Sequence, residues 1–285
     1  MVNYNPVKYK TPLRYPGGKS RAIKFLHNFL PDRIQTYCEP FMGGASMALY
    51  VTQRYPDVLV TVNDAYYPLF NFWRMLQSQG KEMAMRLEEI KRSCESDKDK
   101  QREIYQQSQV WMEDKQLDHF TSACSFYIAN KCSFSGLASS SFSQQAFDGN
   151  FTINNIRKLP EYQEIIYMWN ITNFDYQMYM HPDYDQDFIF LDPPYDIKSF
   201  LYGKDGDKHK GFDHNNFKEH IDRLDRWGIN FMVTYNADPN LIDAYATYKC
   251  LTWDLKYTLR STGTYREDQK QRKELLVYNY DNTNK

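Results

Sequence analysis

Short apolar runs alternate with helical periods in two regions of the chain, separated by a more polar stretch. Segments that place apolar side chains at helical spacing are 22–30, 45–51, 216–227 and 241–248. Runs typical of strands are 37–41, 58–62, 188–191, 230–234, 251–259 and 274–280. Strands that alternate with helices indicate a mostly parallel sheet, because a parallel connection needs a crossover that is usually helical. The pattern therefore predicts an α/β fold.

The stretch between the two regions has a different pattern. Residues 81–116 are polar, favour helix and contain no proline, and 121–131 carry apolar residues at helical spacing. Residues 132–150 are rich in Ser, Phe, Gln and Gly, and we expect a loop or hairpin there. We therefore predict a split α/β domain formed by 1–76 and 161–285, with a mostly helical insert at 77–160.

Composition narrows the class of protein. The 285 residues contain 35 Lys and Arg against 36 Asp and Glu, so no global positive field favours a polyanionic partner. Hydrophobic residues at 42% and charged residues at 25% argue against disorder. No apolar run approaches the ~20 residues of a membrane span. The five cysteines form no C-x-x-C pair, which argues against a disulfide framework and a structural zinc site. We expect a soluble, cytoplasmic protein that binds no metal.

The first candidate motif is Glu39-Pro40-Phe41-Met42-Gly43-Gly44, between a predicted strand and a predicted helix. Glycines there let a ligand approach the backbone, and the helix N-terminus offers unpaired N–H groups. Asp64 ends the next strand, 20 residues beyond Gly44, where an acid can accept the ribose hydroxyls of an adenosine group. The motif is not G-x-G-x-x-G, so an adenosyl cofactor without a pyrophosphate fits better. The alternative is a tight turn with Asp64 as a helix cap.

The second motif is Asp192-Pro193-Pro194-Tyr195, directly after an all-apolar run. Two prolines cannot continue a central strand, so they predict a stiff turn at the carboxyl edge of the sheet, where α/β sites lie. Such a turn presents the Asp192 carboxylate, the Pro193 carbonyl and the Tyr195 ring. These groups suit a planar base with an amino group. A strand that merely ends in prolines is the alternative.

The third motif, Tyr15-Pro16-Gly17-Gly18-Lys19, is a glycine turn that enters a helix. Lys19 there can pair with a carboxylate or phosphate, or it can be an ordinary solvated lysine. In order, P-G-G-K, E-P-F-x-G-G, an acid after the next strand and D-P-P-Y resemble the motifs of the Dam-like (D12 class) DNA adenine-N6 methyltransferases in the α arrangement. The resemblance spans residues 11–280.

This resemblance implies a Rossmann-like S-adenosylmethionine-dependent methyltransferase sheet with an inserted, mostly helical target-recognition domain. It implies methyl transfer from S-adenosylmethionine to N6 of a flipped-out adenine, without a metal ion. By the same resemblance, the cofactor-binding residues are Tyr15, Lys19, Glu39, Phe41, Gly43, Asp64 and Asp192. The catalytic residues are Asp192, Pro193 and Tyr195. Residues 126–137 resemble the segment that enters the DNA, and 260–274 resemble a basic loop.

A nearly neutral chain needs a local surface for double-stranded DNA, because phosphate contacts dominate non-specific affinity. The expected DNA-binding residues are Lys131, Ser133, Phe134, Ser139, Gln144, Arg157, Arg260 and Arg272. A solvated polar surface is the alternative for each of them. Further expectations are a restriction endonuclease companion, a monomer or weak dimer, and a bacterial cell or phage-infected host. The alternative functions are N4-cytosine or RNA base methylation, or a non-catalytic DNA-binding module that keeps the fold.

Overall fold

The computed structural model describes residues 6–15, 17–183, 186–194, 212–255 and 272–281. The strands in these ranges are β1 (Thr36–Glu39), β2 (Leu59–Asn63), β3 (Asn170–Thr172), β4 (Phe188–Leu191), β5 (Asn230–Asn236), β6 (Lys249–Leu255) and β7 (Arg272–Tyr278). The α-helices are α1 (Ile23–Leu26), α2 (Ser46–Arg54), α3 (Tyr67–Ser93), α4 (Lys98–Trp111), α5 (His119–Cys132), α6 (Gln144–Asn150), α7 (Ile153–Ile156), α8 (Leu159–Ile166), α9 (His214–Arg226) and α10 (Pro239–Ala244). Within the described ranges, each helix is too short or too polar to span a membrane.

The strands form one sheet in the order β3-β2-β1-β4-β5-β7-β6. Strands β1 to β5 pair in parallel, whereas β7 runs antiparallel to both β5 and β6. All four residues of β4 are buried, as expected for a parallel strand covered on both faces. The prediction of a mostly parallel α/β sheet is confirmed.

The register of the central strands brings the motifs to one edge of the sheet. Glu39, the last residue of β1, pairs with Val62 of β2, and Cys38 pairs with Ile189 of β4. The chain leaves β1 towards β2 on one side, and β4 lies on the other side. This change of direction is a topological switch point, where open α/β sheets bind ligands. The residues that follow β1, β2 and β4 therefore meet at a common edge.

The helices of the predicted insert share one hydrophobic core with the rest of the fold. The long α3 departs from helical geometry at Gln79, with φ −137° and ψ 36°. The Phe72 ring near its start stacks on the Tyr127 ring of α5, with centroids 5.9 Å apart and planes 12° apart. One buried apolar cluster contains Phe72, Tyr127 and Leu49 of α2. The helical stretch is thus joined to the rest of the fold by a continuous core.

The expectation of a loop or hairpin at 132–150 is only partly correct. Ser133 and Phe142 form an isolated antiparallel bridge around a short 3-10 turn at Phe134–Gly136. The segment ends in helix α6, which the Ser143 side chain caps by accepting the Ala146 N–H. Burial of Phe147, at 1% exposed, stabilises this helix against the neighbouring aromatic side chains. Tertiary packing therefore decides the structure of a segment whose composition favours a loop.

Candidate active site

A cavity of about 610 Å³ opens at the sheet edge where β1, β2 and β4 end. Its volume lies in the range of roughly 300–1,000 Å³ that is usual for small-molecule sites. The sequence-predicted residues in its wall are Tyr15, Lys19, Glu39, Phe41, Gly43, Asp64, Ser139, Asp192 and Pro193. Three motifs that are distant in sequence therefore contribute to one site. Tyr195, the fourth residue of the second motif, lies outside the described residues.

The glycine bend after β1 is shaped by the Tyr15 ring. Gly43 has φ +48°, and a Cβ atom there would lie 2.8 Å from Cε1 of Tyr15. A Cβ atom on Gly44 would lie 2.9 Å from Cβ of Tyr15. The carbonyl of Gly43 accepts the Trp73 indole N–H at 3.1 Å. Only glycine fits this close approach, so Tyr15 and the bend together form one wall of the cavity.

Asp64 ties this bend to the end of β2. Its Oδ2 accepts the N–H of Gly43 at 2.9 Å, and its Oδ1 accepts the N–H of Tyr66 at 2.9 Å. Loss of hydration raises the pKa of Asp64 to about 6, although both backbone bonds favour the ionised form. A carboxylate oxygen can accept more than one hydrogen bond. Asp64 can therefore still receive hydroxyl donors from a ligand in the cavity.

Glu39 is a buried carboxyl group in the cavity wall, only 3% exposed. Burial raises its pKa to about 8, and the Asp192 and Asp64 carboxylates add to the rise. The Tyr37 hydroxyl, which donates to Glu39 Oε2 at 2.7 Å, and the Ala48 N–H in the first turn of α2 oppose it. A positively charged ligand in the cavity would favour the carboxylate form.

Asp192 follows β4 directly and is held from two other elements. Its Oδ1 lies 2.8 Å from Nζ of Lys19 and accepts the Thr234 hydroxyl of β5 at 2.9 Å. The Lys19 side chain is only 3% exposed and also donates to the Gly17 carbonyl at 3.2 Å. Of the alternatives for Lys19, the structure has the ion pair with a carboxylate. The sequence did not indicate that this carboxylate is Asp192.

Sequence reasoning missed an aromatic wall on the other side of the cavity. The Tyr176 ring lies 5.1 Å from the Phe41 ring, centroid to centroid, and 5.5 Å from the Phe212 ring. Asp175 and Asn216 line the same region. Tyr176 follows β3, a three-residue strand that is too short to stand out in a hydrophobic pattern. The wall offers ring surfaces and polar groups to a planar ligand.

Two of the predicted DNA contacts prove to be interior residues. Ser133 is fully buried, and its hydroxyl donates to the Asn130 carbonyl at 3.1 Å. Lys131 is 7% exposed, with Nζ 5.3 Å from the Tyr127 ring centroid. Burial lowers the Lys131 pKa to about 8, and the nearby Arg14 charge contributes. The expectation that these two side chains face a duplex is therefore corrected. Phe134, by contrast, is 54% exposed.

The other predicted DNA contacts have varied positions. The Gln144 amide donates to Gln101 Oε1 at 2.8 Å and to Asp148 Oδ1 at 3.1 Å. Arg157 donates to both carboxylate oxygens of Glu88, at 2.8 and 2.6 Å, and this pairing lowers the Glu88 pKa to about 2. Both side chains are thus engaged within the protein. Arg260 and the side chain of Arg272 lie outside the described part of the structure.

No group of three or more His, Cys, Asp or Glu residues in the described ranges is arranged to hold a metal ion. The groups that line the cavity are carboxylates, aromatic rings, backbone groups and the Lys19 ammonium. Carboxylates beside ring surfaces suit a ligand that carries a cation, a diol and a heterocycle.

Comparison with known proteins agrees with this geometry. The family model of the D12 class N6 adenine-specific DNA methyltransferases matches residues 15–259. The Type II methyltransferase M.CviBI of Paramecium bursaria Chlorella virus NC1A is 26% identical over 205 residues, which cover 68% of this chain and 72% of that protein. The Type II methyltransferase M1.LlaDCHI of Lactococcus lactis subsp. cremoris is 21% identical over 294 residues, 99% of each chain.

Proposed function

The chain belongs to the D12 class of N6 adenine-specific DNA methyltransferases, and from this premise we propose how its residues carry out the reaction. Family membership implies DNA as the substrate and S-adenosylmethionine as the methyl donor. When bound, the donor would supply an activated methyl group: the adenine N6 bonds to the methyl carbon, the electron pair of the C–S bond stays on sulfur, and N6 then loses one proton to water. The chain's own part is to bind, orient and balance charge around the reacting groups.

We propose that the donor binds against Tyr15, Lys19, Glu39, Phe41, Gly43, Asp64 and Asp192. The chemistry of the cavity supports this assignment, because each part of the donor meets a matching group. The Asp64 carboxylate can accept the ribose hydroxyls, and Glu39 offers a negative charge to the cationic end. The rings of Tyr15 and Phe41 provide flat apolar surfaces. The cavity volume of about 610 Å³ suits a ligand of this size.

In our proposal Asp192, Pro193 and Tyr195 form the catalytic turn. A duplex hides the adenine N6, so the base must be flipped out at a cost of a few kcal/mol. The Asp192 carboxylate and the Pro193 carbonyl accept the N–H groups of N6, and the Tyr195 ring stacks on the base. These acceptors counter the delocalisation of the N6 lone pair into the ring. Asp192 also stabilises the positive charge that develops on N6 during transfer.

We also propose that 77–160 is the target-recognition insert, which meets the DNA with Phe134 and Ser139. Phe134 is exposed, and Ser139 lines the cavity, so both can reach a flipped base or its neighbours. Lys131 and Ser133 are not among the proposed DNA contacts, because both side chains are buried. Arg157 and Gln144 would first have to leave their partners within the protein. Arg260 and Arg272 remain predictions from the sequence.

The observation that carries the catalytic assignment is the position of Asp192. It lies in the same cavity as the glycine bend and is fixed there by Lys19 and Thr234. The test is transfer of a labelled methyl group to bulk DNA, followed by digestion and identification of the methylated base. We expect N6-methyladenine from the wild-type protein, and no transfer from Asp192→Ala at donor concentrations that saturate the variant.

Asp183→Ala is the control variant, because the Asp183 side chain is 88% exposed. It should transfer methyl groups at the wild-type rate. Near-normal transfer by Asp192→Ala would reject the catalytic assignment. N4-methylcytosine as the product would instead favour the alternative chemistry on this fold. Thermal unfolding of each variant shows whether a loss of activity reflects a loss of fold.

We further propose that the protein works as a monomer or weak dimer on DNA in the cytoplasm of a bacterial cell or a phage-infected host. The similarity to Type II methyltransferases supports a restriction endonuclease as companion. Light scattering across a range of protein concentrations tests the oligomeric state. Resistance of DNA from expressing cells to an endonuclease encoded beside the gene tests the companion.

A further inference from the structure

The Asn130 side chain joins the segment that precedes Tyr15 to the turn that follows α5, and both segments border the cavity. Asn130 is 1% exposed and belongs to the last turn of α5. Its Oδ1 accepts the N–H of Arg14 at 3.0 Å, and its Nδ2 donates to the Arg14 carbonyl at 2.9 Å. The same Nδ2 donates to the Gly136 carbonyl at 2.9 Å. The carboxamide therefore pairs with residue 14 as a neighbouring strand would, and also closes the turn after α5.

Two further contacts hold these segments together. The Arg14 guanidinium donates from Nη1 to the Ser133 carbonyl at 2.8 Å. Gly136 has φ +79°, and a Cβ atom there would lie 2.3 Å from the Arg14 carbonyl oxygen. Residues 130–136 therefore form a clasp that packs tightly around the backbone of Arg14. There is no room for a residue larger than glycine at position 136. Movement of either segment would break several hydrogen bonds at once.

Arg14 is followed directly by the residues that form the functional wall of the cavity. The Tyr15 ring lies on the glycine bend, and Lys19 pairs with Asp192. On the other side of the clasp, residues 136–139 line the same cavity. The Asn130 carboxamide is therefore the junction between the exposed Phe134 turn and the wall that carries Tyr15 and Lys19.

We propose that Asn130 is a positioning residue that couples DNA binding at Phe134 and Ser139 to cofactor binding against Tyr15. It acts through the backbone of Arg14, because both ends of its carboxamide are engaged by residues 14 and 136. This inference rests on the proposed function, in which the Phe134 turn meets the DNA. Coupling between two binding sites is reciprocal, so DNA and cofactor strengthen each other's binding by the same factor. Without the carboxamide, binding at one site should no longer change the affinity of the other site.

Asn279 provides a matched control at a distance from the cavity. Its Oδ1 accepts the Phe231 N–H at 2.9 Å, and its Nδ2 donates to Ile229 O at 3.0 Å and to Asp225 Oδ1 at 2.9 Å. Asn130→Ala and Asn279→Ala therefore each remove one accepted and two donated hydrogen bonds. Both variants should lower the melting temperature, because both leave backbone groups without partners. Only the first lies between the proposed DNA and cofactor sites.

The experiment measures the Kd of S-adenosylhomocysteine for the full chain by calorimetry, with and without a saturating DNA duplex. The duplex carries the target sequence, identified beforehand by sequencing DNA that the protein has methylated. For the wild type we expect DNA to tighten binding by a factor of about 10, within the usual range of coupling. Asn130→Ala should reduce this factor to about 1, whereas Asn279→Ala should keep the wild-type factor.

A wild type without coupling, or an Asn130→Ala protein with the full factor, overturns the inference. Equal loss in both variants also overturns it, because the effect would then be general destabilisation. If Asn130→Ala does not fold, Asn130→Ser decides in its place, since its short hydroxyl side chain stays polar but cannot pair with both backbone groups of Arg14. Failure of the proposed function shows separately, as a wild-type protein that does not methylate adenine in DNA.

Discussion

The Lys19 ammonium lies 2.8 Å from Oδ1 of Asp192 and connects the motif near the start of the chain to the turn after β4. The pair is largely shielded from water, since the two side chains are 3% and 20% exposed. Removal of one partner from a shielded pair leaves a charge without compensation. Because Thr234 donates to the same oxygen, the carboxylate is fixed by two elements before any substrate arrives.

We expect Lys19→Met to lower kcat for methyl transfer on the order of 10²-fold, because the proposed catalytic carboxylate would lose its cation and shift position. Thr234→Val removes a single neutral hydrogen bond, worth about 1 kcal/mol, and should lower kcat by roughly tenfold or less. Single-turnover rates with labelled donor measure both effects. A Lys19→Met protein that folds and keeps a kcat within about threefold of the wild type would contradict this role.

The raised pKa of Glu39 predicts that the protein releases a proton when the cofactor binds. With a pKa of about 8 in the unliganded protein, Glu39 is mostly protonated at pH 7. A cation placed beside it lowers that pKa, so the group ionises and gives its proton to the buffer. Asp64, with a pKa of about 6, is already mostly ionised at pH 7 and contributes little.

Calorimetric titration of the protein with S-adenosylmethionine, in buffers of different ionisation enthalpy, measures the number of protons released. We expect a substantial fraction of one proton at pH 7, and close to none for Glu39→Gln. The release should also shrink above pH 9, where Glu39 is ionised before the cofactor arrives. A binding heat at pH 7 that does not depend on the buffer would count against a cation beside Glu39.

The exposed ring of Phe134 predicts that its removal lowers DNA affinity without lowering stability. Its side chain is 54% exposed, so Phe134→Ala should leave the melting temperature nearly unchanged. If the ring stacks on a base, its loss costs about 1–3 kcal/mol of DNA affinity, or roughly 5- to 150-fold in Kd. Phe174→Ala is the matched control, since Phe174 is also 54% exposed and is not among the residues of the cavity wall. Fluorescence anisotropy with a target duplex measures the Kd, and equal values for both variants would remove Phe134 from the interface.

The sequence was sufficient to predict those site residues that lie at the ends of strands. The apolar run of β4 and the two prolines after it fix where Asp192 emerges, and parallel pairing brings Asp64 to the same edge. The sequence was not sufficient to predict which polar side chains are buried in the core. Helix α5 buries residues on every side, from Ser122 to Cys132, so Lys131 resembles a surface cation in sequence but lies inside. The pairing of Lys19 with Asp192 is a tertiary contact that no local pattern encodes.

The close contact between Gly43 and the Tyr15 ring predicts that a larger residue at 43 lowers the affinity for the cofactor. This effect can be measured separately from the effect of backbone strain. An alanine at φ +48° costs about 1–2 kcal/mol, and its Cβ atom would also lie 2.8 Å from the Tyr15 ring. Gly43→Ala should therefore push Tyr15 from the cavity wall and raise the Kd of S-adenosylmethionine by roughly tenfold or more, if about 1.4 kcal/mol or more of contact is lost. Gly228→Ala is the matched control, because Gly228 has φ +73° and a Cβ atom there would meet none of the described residues within 4 Å. It should lower the melting temperature through backbone strain alone and leave the Kd unchanged. Equal Kd values for both variants would show that contact between Tyr15 and the bend does not shape the cofactor site.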